Sequence, residues 1–315
     1  MASFKKIKRT LRRPLETTIF LISIWIIPRL PRCAIVHLAK QIGWIADRIP
    51  SRERKLARQN LDTVFGDTRT PKEKQRILAT SFATMTQTML DIFWFSKDPD
   101  RRIRQYVTFE EGPNKDSFFE DKPVVCITAH IGSWEIMGQT TALMGAKMAS
   151  IAAPLKNPTV DRVMTQLREN TGQTIIPQKG ALKSLIARFR KKGKAAFVLD
   201  QNTPEKEGGI LVNFLGLPRP VSMAPAALAY RTGTEIMIGI CLPKPKGHYR
   251  IYIPKIITPP PYNPSANANQ VARELTQQIQ DSLSKEILQH PEHWLWAYRH
   301  WRHEQKKHPT NNPND

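Results

Sequence analysis

The chain has 315 residues, 40% of them apolar, enough for one large or two modest domains with a buried core, which excludes disorder throughout. Its 48 Lys and Arg against 27 Asp and Glu leave a formal charge of +21, so an acidic partner is expected: nucleic acid, an anionic membrane surface, or a phosphorylated or carboxylated ligand. Three scattered cysteines, Cys33, Cys126 and Cys241, form no CxxC pair, which excludes a disulfide framework and a zinc ribbon and fits a reduced, intracellular protein.

The first fourteen residues carry six cations, Lys5, Lys6, Lys8, Arg9, Arg12 and Arg13, and no acid. An eleven-residue apolar run, 17–27, follows and is closed by Pro28 and Arg29. A spanning helix needs about 20 apolar residues, so a simple span is not expected. No small-x-small site follows to mark a cleaved signal peptide. Residues 34–46 are apolar at helical spacing, with Lys40 and Arg48 at the polar edges and Trp25 and Trp44 placed as interfacial anchors. Two basic, partly apolar helices meeting at a Pro-rich bend predict a monotopic membrane anchor over residues 1–50. A buried helical hairpin is the plainer alternative. Anionic lipid contributes roughly 1 kcal/mol per nearby Lys or Arg, which would reinforce the short apolar run.

Residues 51–66 and 71–96 read as helices, with Ser51 as a cap and Pro71 in a first turn after Thr70; they begin a helical lead-in over 51–122. From residue 123 short β-branched runs (123–128, 147–153, 174–177, 194–199) alternate with helical stretches (132–144, 158–170, 180–192). This alternation predicts an α/β fold, a sheet flanked by helices. Runs 235–242 and 249–257 extend it as an antiparallel pair around Lys244, Pro245, Lys246 and Gly247, making the sheet mixed. A helix from about 267 to 288 and a basic aromatic segment, 294–302, close the α/β core of 123–302. The polar tail 303–315 is expected to be disordered. The sequence has no internal repeat and no GxGxxG or GxxxxGK phosphate loop.

The sharpest feature is an apolar strand ending at Thr128, Ala129 and His130, with Ile131, Gly132, Ser133, Trp134 and Glu135 following. Ligands bind at strand ends in open α/β sheets. A helix starting near Gly132 puts Glu135 in its first turn, within reach of the His130 imidazole. A carboxylate there would hold one tautomer and leave the other nitrogen as a general base. With no GxSxG elbow and no comparably placed Cys, that base would act on a substrate hydroxyl. A structural histidine with a chance glutamate is the other reading of the same spacing. Two ligands make no metal site, so none is expected.

This block, His followed four residues later by an acid, resembles the mark of the lysophospholipid-acyltransferase-like superfamily. The chain is most similar to its branch of lipid A late acyltransferases, the lauroyl/myristoyl transferases. The likeness covers most of the chain: the basic apolar N-terminus, Arg58 to Leu61 with Phe65, the 127–135 block, Pro154 to Pro158, Arg168, Asp200 with Gln201, Phe214 to Gly216, and Trp294 to Trp296 with Arg299.

The resemblance implies a glycerol-phosphate-acyltransferase-like fold with N-terminal membrane-associated helices and an acyltransferase domain over 51–302. It implies that His130 deprotonates an acceptor hydroxyl while Glu135 orients it, and that the hydroxyl attacks an acyl carrier protein thioester. Arg168 matches the position of a cation near the acyl carbonyl, able to stabilise the oxyanion; a solvated helix arginine is the bland reading. Asp200 matches an acidic position that supports the site or contacts the acceptor, or else caps the turn after its strand. Phe214 and Gly216 fit a loop on the acceptor side, or an apolar loop packed on the core. Relatives carry Arg before the proline of the second block; here Ala152 and Ala153 precede Pro154, with Lys156 as a replacement charge. The implied partners are acyl carrier protein, a phosphorylated lipid A precursor and anionic inner-membrane lipid, with the enzyme on the cytoplasmic face of the inner membrane, peripheral or held by one N-terminal segment. No cofactor is implied. Arg188 and Arg190 to Lys192 then have acidic partners, or simply favour a helix end. Rival readings are acylation of a lysophospholipid or another glycolipid from acyl-coenzyme A, a non-catalytic membrane scaffold, and a nucleic-acid binder stacking bases on segment 294–302.

Overall fold

The computed structural model describes residues 2–301, with side chains from Pro14 onward. The cluster from Lys5 to Arg13 therefore contributes backbone only, and the expected disordered tail lies outside the described residues.

Two helices, α1 (Ala2–Ile26) and α2 (Arg32–Arg48), meet at a bend carrying Pro28 and Pro31. Two more follow. Ser51 caps α3 (Arg52–Phe65) by accepting from Arg54 N–H, and Thr70 with Glu73 forms a capping box on α4 (Pro71–Trp94). Helix α2 lies tightly along α4: a Cβ on Gly43 would come within 2.5 Å of the Ala83 nitrogen. Arg32 locks the pair through a buried ion pair with Asp91, which also accepts from the Tyr249 hydroxyl at 2.5 Å. No helix among the described residues is long and apolar enough to cross a membrane, so the variant with a single spanning segment gains no support. The run 17–27 ends too soon.

Then come α5 (Pro99–Tyr106), β1 (Val107–Phe109), α6 (Pro113–Phe119), β2 (Val124–Thr128), α7 (Trp134–Leu143), β3 (Met148–Ala152), α8 (Pro158–Glu169), β4 (Thr174–Pro177), α9 (Ala181–Arg190) and β5 (Lys194–Val198). A hairpin, β6 (Gly209–Phe214) with β7 (Leu217–Ser222), precedes α10 (Ala224–Thr232), β8 (Ile236–Lys244), β9 (His248–Ile257) and α11 (Ala268–Gln289).

Seven strands form one sheet in the order β1, β9, β8, β2, β5, β3, β4, with all pairings parallel except β8 with β9. This is the mixed, helix-flanked α/β sheet expected from the alternation of runs. Alternating side chains supply two apolar layers: Val125, Ile127 and Ala195 pack under α10 and α11, whereas Val124, Met148 and Met237 pack toward α4, α6 and α7. Unanticipated are β1 and the β6–β7 hairpin. Trp294, Trp296 and Trp301 are buried, so among the described residues of this segment the three indoles are core and not rings open for stacking bases.

Candidate active site

Strands β2 and β5 pair in parallel with Thr128 beside Val198, so the chain leaves both strands at one level. Two residues further on, His130 and Asp200 meet. Asp200 is fully buried and accepts three hydrogen bonds: from His130 Nδ1–H at 2.6 Å, from the His130 backbone N–H at 2.9 Å and from the Trp294 indole N–H at 2.8 Å. An ionised carboxylate only accepts, so Nδ1 carries a proton, and in the neutral ring Nε2 keeps the lone pair.

Burial is the largest single influence on both groups and opposes charge on each. Mutual attraction outweighs it. The charge and hydrogen bond of His130 hold the Asp200 carboxyl well below the usual carboxylate range. Asp200, with a lesser contribution from Glu135, lifts the His130 imidazole above its ordinary value.

The turn after His130 is held from several sides. Leu295 N–H donates to the His130 carbonyl at 3.0 Å, Gly132 N–H to the His293 carbonyl at 2.9 Å, and Ser133 N–H to the Cys241 carbonyl at 2.9 Å. Gly132 has φ +57°, and a Cβ there would lie 1.9 Å from the Cys241 carbonyl oxygen, so only glycine fits. Ser133 then starts α7 by accepting from Ile136 N–H.

Glu135 sits in the first turn of α7 as expected, but the expected hydrogen bond to His130 is not made. Both its oxygens are taken by Arg168 at the end of α8, Nε at 2.9 Å and Nη2 at 2.5 Å. The fork of the guanidinium matches the carboxylate, a stronger match than one imidazole N–H could offer. Burial pulls the Arg168 guanidinium down, but the bond and charge of Glu135 more than offset this, so Arg168 stays charged. The histidine thus has Asp200 as its partner, and the glutamate has Arg168.

Behind Asp200 stands a layer that no sequence spacing signals. Arg219, fully buried, donates to the Asp200 carbonyl at 2.7 Å and to Gln280 Oε1 at 2.8 Å, with its guanidinium 3.6 Å from the Phe214 ring centroid. Burial lowers its pKa to about 10, which leaves it protonated. His300 stacks on Trp294 with ring centroids 4.3 Å apart and donates from Nε2 to the Leu295 carbonyl. Burial, then the Arg219 charge, push it down to about 3, so it is a neutral spacer.

His130, Glu135 and Arg168 border one cavity of about 950 Å³ at the carboxyl ends of the strands. Phe214 and Gly216 do not. Phe214 is buried under Arg219, and Gly216, with φ +81° after Leu215 at +53°, forms the tight turn of the β6–β7 hairpin. The loop expected on the acceptor side is therefore a two-residue hairpin turn. Lys156 is exposed next to Leu155 at the cavity rim and is not part of its wall.

A model of the bacterial lipid A biosynthesis acyltransferase family matches residues 1–303. The chain is 21% identical over 290 residues to the lipid A biosynthesis lauroyltransferase of Escherichia coli, covering 89% of each chain. Over 177 residues it is 23% identical to a phosphatidylinositol mannoside acyltransferase of Mycobacterium tuberculosis, covering 55% of this chain and 52% of that one. With a match along almost its whole length, the chain belongs to the bacterial lipid A biosynthesis acyltransferase family and is an O-acyltransferase.

Proposed function

We propose that the protein moves a fatty acyl chain from an acyl carrier protein thioester to a hydroxyl of a lipid A precursor, with His130 as general base. The observation that carries this is the short Nδ1–H bond from His130 to buried Asp200 at the rim of an apolar cavity. In this reading Nε2 takes the acceptor hydroxyl's proton as its oxygen bonds to the thioester carbonyl carbon. The resulting oxyanion faces the Arg168 N–H groups not bound to Glu135. Its collapse breaks the carbon–sulfur bond, and the imidazolium returns the proton to the leaving thiolate. Asp200 stabilises that imidazolium and fixes its tautomer. Glu135 acts on Arg168 rather than on the histidine.

The arm of the cavity between the sheet and α7, lined by Cys126, Met148, Ala196 and Met237, would take the donor's acyl chain. Residues 1–50 would hold the enzyme on the anionic cytoplasmic face of the inner membrane. Trp25 and Trp44 are 63% and 52% exposed, each with a guanidinium over its ring, Arg29 at 4.3 Å and Arg48 at 3.7 Å, a pairing that suits the headgroup layer. The match to a mannoside acyltransferase favours one second reading, another glycolipid as acceptor. Transfer from labelled acyl carrier protein thioesters to a tetra-acylated phosphorylated disaccharide, beside other glycolipids and lysophospholipids, tests the assignment: product on the first supports it, and product only on the others moves the acceptor.

A further inference from the structure

Side chains of parallel strands alternate between sheet faces, so Cys126, Ser150 and Ala196 lie on one face and Ile127, Ile151 and Phe197 on the other. All six border the same cavity, and it touches both apolar layers of the core. The void therefore turns round the carboxyl ends of β2, β5 and β3 and has two arms, one on each face, that meet beside His130.

The arms differ. The arm toward α7 reaches buried Met148 and Phe118, with the Lys194 ammonium 5.4 Å from the Phe118 ring centroid and Gly239 beside Met137. The other arm lies between the sheet and helices α9 and α10, lined by Leu185, Leu228 and Phe197. Its rim carries Leu182, 57% exposed, and the cavity also has Leu155, 41% exposed, in its lining. Exposed Lys179 and Lys183 flank Leu182. An apolar side chain open to solvent at the mouth of a cavity gives an entering hydrocarbon chain its first contact.

We infer that this second arm is a binding site for a hydrocarbon chain that the acceptor lipid already carries, held while the acceptor's hydroxyl lies at His130. The inference rests on the acyl-transfer reading. An arm that runs in to buried Met148 and Phe118 suits a chain whose head is still attached to a bulky carrier outside. A rim with an exposed leucine edged by lysines suits an amphiphile entering with its chain first and its anionic headgroup among the cations. The two substrates then approach the base from opposite faces of the sheet.

The test uses the full chain in detergent and a phosphorylated disaccharide lipid with a diazirine in one acyl chain, cross-linked by light and mapped by mass spectrometry. Labels on α9 and α10, around Leu182, Leu185 and Leu228, support the site; labels around Met148 and Phe118, or outside the cavity, overturn it. Leu182→Glu, on the surface and so tolerated by the fold, should raise the acceptor KM about tenfold, the scale of one buried leucine, and leave the donor KM unchanged. The same acceptor stripped of its acyl chains should not respond to the substitution. A raised donor KM with an unchanged acceptor KM contradicts the assignment. Cross-links on α9 and α10 without any acyl transfer would count against the reaction and leave the lipid site standing.

Discussion

Asp200 accepts a 2.6 Å hydrogen bond from Nδ1 of His130 across 70 residues of sequence, at the point where β2 and β5 end side by side. The same carboxylate also holds the histidine's backbone and the Trp294 indole, so one buried group fixes ring, main chain and closing segment together. Its charge favours the imidazolium that forms when a hydroxyl loses its proton.

Asp200→Asn keeps the shape and removes the charge. Transfer should fall by about 10²- to 10⁴-fold, the range seen when a base loses its orienting acid. The sign of the pH effect follows from the raised pKa of His130: the base is active only above that value, so the rate climbs as pH rises through it. Without the Asp200 charge that climb should move to lower pH while the plateau drops. A kcat/KM profile of the variant beside the wild type reads both.

Glu135 and Arg168 should behave as a unit. Glu135→Gln leaves a partly buried guanidinium without its carboxylate, and unfolding stability should drop by on the order of 2 kcal/mol. Activity should fall in Glu135→Gln and Arg168→Met, and the double variant should lose much less than the two losses combined. The pH of the rising limb should move far less than in Asp200→Asn, because Glu135 touches the histidine only through space. A shift as large as that of Asp200→Asn would return Glu135 to the role of direct partner.

Gly132→Ala should be damaging out of proportion to one methyl group. The positive φ and the 1.9 Å approach to the Cys241 carbonyl force the turn to move, at a cost of about 2 kcal/mol or more, and the His130 ring moves with it. Thermal unfolding should show a lower Tm, and the transfer assay should show a loss larger than the fraction unfolded explains.

Trp25→Ala combined with Trp44→Ala should weaken sedimentation with anionic phospholipid vesicles and leave turnover of a soluble thioester unchanged. Binding should weaken further as salt rises, since the Arg29 and Arg48 contributions are screened. Equal binding of wild type and variant would remove the two tryptophans from the membrane contact.

Much of this fold could be read from local pattern. The apolar runs at β2, β3, β5 and β8 and the caps at Ser51 and Thr70 are short-range signals, and each element stands where its signal lies. The β6–β7 hairpin was hidden because Pro218 and Pro220 punctuate β7, which reads as a loop; a two-stranded ribbon tolerates prolines that a central strand would not. The histidine was legible as a strand-end residue with a candidate acid nearby. Its partner was not, because the sequence distance of five makes a contact with Glu135 possible, whereas the contact with Asp200 is created by strand register, a non-local property. Arg219 and Gln280 are reachable only once the hairpin and α11 are placed, and their residue types carry no periodic signal.

The most direct test of the account is acyl transfer by the detergent-solubilised protein, wild type beside His130→Ala, with labelled acyl carrier protein thioesters and the phosphorylated disaccharide acceptor. The wild type should transfer, and the variant should lose at least about 10²-fold, more than any fall in its folded fraction explains, with membrane association unchanged. Transfer by His130→Ala at the wild-type rate would contradict it.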